Sequence, residues 1–130
     1  GTPPEDGGFL LGPRDCPHLV THYLPDATGH KTPASFKPDA ARANGWLRRL
    51  NAVCGEAAIG GLDFKGVVHS HPAGVTTPSR GDLAFAGATF GRATNADAAV
   101  LFLPIVCGGR FYPYAVTRDL RVRLVPLALV

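Results

Sequence analysis

The stretch that decides the fold is FKGVVHSHPAGVTTPSRGDLAFAGAT, which occupies residues 64–89. Residues 64–71 are mainly apolar and predict a buried strand. Residues 72–78 begin and end with proline and predict a loop. Residues 79–89 carry apolar side chains at helical spacing, so a helix is expected to follow the loop.

Two histidines and an aspartate in this stretch have the pattern of a metal site. His69 and His71 end the predicted strand, and because strand side chains alternate, the two imidazoles share one face. Asp82 lies one turn into the predicted helix and can turn back as an oxygen ligand. Two histidines and one carboxylate leave the fourth tetrahedral position of zinc open, as in catalytic rather than structural sites.

Each piece of this pattern also has a simpler interpretation. Paired histidines occur as hydrogen-bonded or exposed residues without any metal. Ser79 and Asp82 have the spacing of a capping box, in which Asp82 would do no more than interact with the start of a helix. Neither piece alone establishes a function.

The rest of the chain predicts further short strands and one more helix. Strands are expected at 7–12, 18–24, 100–106, 111–117 and 120–130, a loop at 26–38, and a helix at 39–50. Because strands and helices do not alternate strictly, we predict an α/β domain with a twisted mixed sheet flanked by helices.

Composition excludes several classes of protein. The chain has 130 residues with 45% hydrophobic and 18% charged residues, which fits one globular domain. The net charge is +3 and the basic residues are not clustered in the sequence, so nucleic acid is not an expected partner. No apolar run approaches the ~20 residues of a membrane helix. Three widely spaced cysteines form no disulfide framework, so we expect reduced thiols and a cytoplasmic location.

Together, His69-Ser70-His71-Pro72, the loop, and Ser79-x-x-Asp82 resemble the signature of the JAMM (JAB/MPN+) zinc metalloproteases. That signature has a glutamate upstream, and Glu5 followed by DGGFLLG matches it. The chain resembles the short prokaryotic branch from Glu5 to the helix after Asp82, and more loosely to its end. Members usually have a strand and a helix before the glutamate. Since Glu5 lies near the start and Met is absent, we expect residues 1–130 to form a single JAMM domain without that segment.

The resemblance implies an MPN/JAB fold with a zinc site at the end of a central strand. His69, His71 and Asp82 would bind one zinc ion per chain. Glu5 would accept the proton of the attacking water and return it to the leaving amine. Ser79 would donate a hydrogen bond to the developing oxyanion.

The implied activity is hydrolysis of a peptide or isopeptide bond at the C-terminal tail of a ubiquitin-like protein. The expected setting is a bacterial ubiquitin-like conjugation system, including those of antiphage defence, with the modifier and its conjugates as partners and no membrane or nucleic acid. Two alternatives stay open: a peptidase that processes a sulfur-carrier precursor, and a non-catalytic MPN scaffold that binds proteins. Loss of a ligand or of the glutamate would mark a scaffold, and all five positions are present.

Overall fold

We describe residues 7–26, 30–32, 35–37, 40–54, 61–72, 74–92 and 95–125 of a computed structural model of the chain. These residues form ten strands and two helices. In chain order they are β1 (Gly7–Pro13), β2 (His22–Pro25), β3 (His30–Thr32), β4 (Ser35–Lys37), α1 (Ala40–Cys54), β5 (Leu62–Ser70), α2 (Arg80–Phe90), β6 (Val100–Phe102), β7 (Ile105–Cys107), β8 (Arg110–Tyr112), β9 (Tyr114–Thr117) and β10 (Val122–Leu124). No helix in the described part of the chain is long and apolar enough to cross a membrane.

Eight of the strands form one mixed sheet with β5 in its interior. The order is β10-β9-β6-β5-β1-β2, and β7 pairs with both β5 and β8. β5 runs antiparallel to β1 and parallel to β6 and β7. The predicted mixed α/β sheet flanked by helices is therefore confirmed.

The pairing on one side of β5 depends on a glycine. Gly66 pairs with Phe102 of β6, and a Cβ atom on Gly66 would lie 1.9 Å from the Phe102 carbonyl oxygen. A larger residue would push β6 away from β5. On the other side of β5, the register with β1 shifts between Leu10 and Leu11, which is the mark of a β-bulge.

The main core lies between the sheet and α2. It contains the buried side chains of Phe9, Val67, Ala86, Phe90, Leu101, Leu103 and Val116. α2 contributes Ala86 and Phe90, which lie four residues apart on one helical face. The core thus fixes α2 against β5, and these are the two elements that carry the candidate metal ligands.

One of the expected strands is shorter than predicted, and two others are divided. The strand expected at 18–24 begins only at His22. The strand expected at 100–106 is split into β6 and β7 on either side of Pro104, and that at 111–117 into β8 and β9 around Pro113. Proline has no N–H to give to a sheet, so it interrupts the pairing at each point.

Two further differences concern the loop and the C-terminal strand. The prediction of a loop over 26–38 was wrong, because β3 and β4 form a separate antiparallel pair there. The strand expected at 120–130 is observed as β10 alone, and residues 126–130 lie outside the described residues.

Candidate metal centre

The two histidines of the motif meet at the C-terminal end of β5. Their Nε2 atoms lie 2.7 Å apart, and the ring centroids are 4.6 Å apart. Only 4% of His69 and 8% of His71 is exposed. The shared strand face that alternation predicts is therefore observed, and both imidazoles are shielded from water.

The carboxylate of Asp82 faces both imidazoles from the first turn of α2. Its Oδ1 lies 3.0 Å from Nε2 of His69, and its Oδ2 lies 3.2 Å from Nε2 of His71. One ligand atom from each of these three residues can be chosen so that all lie within 4.8 Å of one another. The structure thus brings together the three residues that the sequence predicts as ligands; their role as ligands stays a prediction.

Asp82 also belongs to the capping box of α2. The Ser79 backbone N–H donates to Asp82 Oδ2 at 2.7 Å, and the Asp82 N–H donates to Ser79 Oγ at 3.1 Å. The capping and metal-binding interpretations of Asp82 are therefore compatible, because the capping bond holds the carboxylate in the direction of the histidines. Ser79 serves as the N-cap residue, and its expected role at the oxyanion stays a prediction.

The surroundings keep the Asp82 carboxyl ionised. Burial raises its pKa, but its polar neighbours lower the pKa by more. The lowering comes from the hydrogen bond and charge of His69, the backbone N–H of Ser79 and the charge of His71. The net pKa lies below its ordinary value of 3.8, so at neutral pH the group has the charge that a metal ligand requires.

A hydrogen bond on the far side of His71 sets the tautomer of its neutral ring. Nδ1 of His71 lies 3.2 Å from the carbonyl oxygen of Val75 in the loop. A carbonyl can only accept, so Nδ1 carries the proton, and the Nε2 of the neutral ring presents a lone pair to the centre. This outer contact is the usual partner of a metal-bound histidine.

The donor set therefore fits a zinc ion. Two imidazole nitrogens and one carboxylate oxygen converge, one tautomer is fixed from outside, and the carboxylate is ionised. Nitrogen and carboxylate ligands of this kind are typical of catalytic zinc.

Strand β1 begins beside this centre. Gly7 pairs with His69, and a Cβ on Gly7 would lie 2.3 Å from the Val68 carbonyl oxygen and 2.9 Å from His69 Cβ. Only glycine permits this approach, which accounts for the glycine at position 7. The predicted general base, Glu5, lies outside the described residues.

Sequence reasoning did not find the two backbone groups that hold His71. The Val75 carbonyl accepts from its Nδ1, and the Val106 carbonyl in β7 accepts from its backbone N–H at 2.9 Å. Every residue has a carbonyl, so no residue type marks these partners. The sequence offered only a general expectation, namely that a metal-binding histidine donates its other ring N–H to some acceptor.

Comparison with solved structures shows the same fold in a distant protein. The solution structure of protein DSY2949 from Desulfitobacterium hafniense matches with a TM-score of 0.58 and 19% identity, over 93% of this chain and 75% of that one. No curated protein sequence matches the chain. The model of the family described as prokaryotic homologs of the JAB domain matches residues 1–121, and the chain therefore belongs to that family.

Proposed function

We propose that this protein is a zinc-dependent peptidase that cleaves a peptide or isopeptide bond at the C-terminal tail of a ubiquitin-like protein. The observation that carries the proposal is the convergence of His69, His71 and Asp82 at the end of β5. Membership of the prokaryotic JAB-domain family supports it.

The metal would be held by the two Nε2 atoms and the Asp82 carboxylate. A bound zinc ion supplies Lewis acidity, which polarises a carbonyl and lowers the pKa of a water molecule. The protein keeps the two imidazoles buried and the carboxylate partly buried, and it brings the three donors together, so no large rearrangement is needed for binding. The Val75 carbonyl holds the His71 ring in the required tautomer.

Glu5 is assigned the proton transfer. It precedes Gly7 by two positions in the sequence, and two steps of chain span at most about 7 Å. The register that pairs Gly7 with His69 therefore supports the assignment of Glu5 to this centre. A carboxylate there can accept a proton from water and pass it to the leaving amine.

Ser79 is assigned to the developing oxyanion. Its Oγ accepts the N–H of Asp82, which uses a lone pair and leaves the hydroxyl proton to donate. Within the described part of the chain no residue accepts that proton, and Ser79 is exposed at the start of α2. A donor aimed at developing negative charge contributes about 3 kcal/mol in known enzymes.

The substrate we propose is a ubiquitin-like modifier, or a conjugate of it, in a bacterial conjugation system such as those of antiphage defence. The cytoplasm is the proposed location. Cys16 and Cys107 are both free thiols, as expected in a reducing compartment.

The test is cleavage of a bacterial ubiquitin-like protein fused through its C-terminus to a reporter. We expect the zinc-loaded protein to release the reporter at the modifier's last residue, and chelation to stop release. His69→Ala should be inactive, whereas His22→Ala should match the wild type, because His22 is an exposed histidine outside the centre.

Other outcomes select the alternatives. Cleavage only of a sulfur-carrier precursor would identify the processing peptidase. Binding of the modifier without cleavage, unaffected by zinc or by His69→Ala, would identify a scaffold and contradict the proposal.

A further inference from the structure

A cavity opens at the end of β5 that lies away from the metal centre. Its volume is about 1230 Å³, and residues of β1, β5, α1 and α2 and the segment leading into β6 line it. Phe64 is in its wall, whereas His69 is not. At ~3.3 Å per strand residue, the five steps from Phe64 to His69 place the two sites about 16 Å apart. The cavity is thus separate from the metal centre.

The charged lining of this cavity is predominantly basic. Two acidic residues line it, Asp63 and Asp97. The basic residues of the lining are four: Arg14, Arg48, Lys65 and Arg92.

The three arginines of the lining are not engaged with the described residues. The guanidinium groups of Arg14, Arg48 and Arg92 form no ion pair or hydrogen bond with the described part of the chain. Elsewhere in the fold arginines are engaged: Arg118 donates to four backbone carbonyls, and Arg121 pairs with Asp119. Guanidinium groups around a cavity offer paired N–H donors that match carboxylate and phosphate oxygens.

Lys65 adds a buried cation to the wall. Only 8% of the residue is exposed, and Nζ donates to the Cys16 carbonyl at 3.2 Å. Burial lowers the pKa of this lysine, against the opposing effects of Asp63 and Cys16. The ammonium is therefore poorly compensated, and a bound anion would favour its charged form.

Aromatic side chains supply the apolar part of the lining. Phe9, Phe64 and Phe85 line the cavity, and the rings of Phe9 and Phe64 lie 6.1 Å apart between centroids. Pockets for small molecules usually measure about 300–1,000 Å³ and combine an apolar lining with a few polar groups. This cavity is large enough for such a ligand and has both kinds of surface.

We propose that the cavity binds an organic anion, a phosphate or carboxylate carried on a planar apolar group. The acid group would contact the guanidinium groups of Arg14, Arg48 and Arg92 and the ammonium of Lys65, and the planar group would lie against the phenylalanines. The ligand class follows from this combination of unengaged cations and aromatic wall.

The test is calorimetric titration of the full chain with four probes: 2-naphthyl phosphate, 2-naphthoate, uncharged 2-naphthol and inorganic phosphate. We expect one of the two naphthyl anions to bind once per chain, at least about tenfold more tightly than 2-naphthol and inorganic phosphate. Comparing the two anions identifies the acid group. Failure of both to bind at about 1 mM would overturn the proposal, as would equal binding of 2-naphthol.

Variants locate the binding site. The double variant Arg14→Gln/Arg92→Gln should weaken binding at least about tenfold, whereas Arg110→Gln/Arg123→Gln, at two exposed arginines outside the cavity, should not change it. If the Arg14→Gln/Arg92→Gln variant does not fold, Arg48→Gln is measured in its place. His71→Ala should retain binding. Equal loss in the control pair, or loss in His71→Ala, would contradict the assignment to this cavity.

Discussion

The Nε2 atoms of His69 and His71 lie 2.7 Å apart, and the carboxylate of Asp82 faces both. Two imidazoles and a carboxylate held this close together are costly to shield from water unless a proton or a cation is shared between them. The site therefore needs both elements: the end of β5 supplies the two imidazoles, and the first turn of α2 supplies the carboxylate.

Removal of one imidazole should abolish metal binding. His71→Ala takes away a nitrogen donor and the tautomer lock to Val75, so we expect the wild type to hold one zinc per chain and the variant to hold almost none. Metal analysis after gel filtration measures this, with His22→Ala as the control. Undiminished zinc in His71→Ala would show that the metal is bound elsewhere.

Glu5→Gln should separate binding from turnover. Glutamine keeps the shape of the side chain and cannot accept a proton, so the cleavage rate should fall by ~10²–10⁴. The variant should still bind zinc and the uncleaved conjugate. Single-turnover rates on the modifier fusion measure the loss, with Asp15→Asn as the control at an exposed carboxylate. Wild-type turnover would transfer the role to another carboxylate, with Asp6 the first to test.

Gly7→Ala should disturb both the sheet and the metal centre. A Cβ there would lie 2.3 Å from the Val68 carbonyl oxygen, so β1 must move away from His69. We expect a loss of about 1–3 kcal/mol in unfolding free energy, typical of overpacking, and weaker zinc binding. Urea unfolding and zinc titration provide the readouts.

Gly45→Ala is the matched control for this substitution. Nothing lies within 4 Å of a Cβ at Gly45 in α1, so the change should stabilise the protein by up to about 1 kcal/mol. Equal effects of the two substitutions would contradict the role of Gly7.

Arg118 should stabilise the connection between α2 and β6. Its guanidinium donates to the carbonyls of Phe90, Asn95, Ala96 and Ala98. Because the side chain is exposed, we expect Arg118→Ala to cost only about 2 kcal/mol. Chemical unfolding should show this loss, and Arg123→Ala, an exposed arginine of β10, should change stability by less than about 0.5 kcal/mol. Similar losses in both would indicate a general effect of charge.

Lys65 should make stability rise at alkaline pH. Burial holds its pKa below the ordinary 10.5, so between the lowered value and 10.5 the unfolded chain binds more protons. The unfolding free energy therefore rises through that window, and Lys65→Met should lack this rise. Urea unfolding at neutral pH and near pH 10.5 tests the difference. The same pH dependence in both proteins would contradict it.

The sequence predicts β1, β5, both helices and the mixed sheet because their signals are local. Apolar runs predict the strands, and the capping residues after Pro78 predict the start of α2. The division of two strands could not be predicted in the same way. It depends on Pro104 and Pro113 lying inside regions that pair with other strands, where proline has no N–H to donate. The β3–β4 pair was missed because its sequence contains the polar and turn-forming residues of a loop.

The sequence predicted which side chains meet at the candidate site, but it did not predict the backbone carbonyls that hold His71 in place. Strand alternation and loop length bring His69, His71 and Asp82 together in the sequence-based prediction. The contacts of His71 with Val75 and Val106 use backbone carbonyls, which depend on how the loop and β7 fold around β5. Long-range pairing of this kind has no residue-type signature.

The capping contact of Asp82 has a consequence for how the proposed zinc ion would be acquired. Its carboxylate is oriented by the Ser79 N–H, and the His71 ring is held by the Val75 carbonyl, so both are positioned by contacts within the protein. The centre is thus preorganised by ordinary folding, unlike a zinc finger, whose chain folds only around its ion. In the proposed enzyme, folding would therefore not depend on metal loading, and the supply of zinc would govern when the folded protein becomes active.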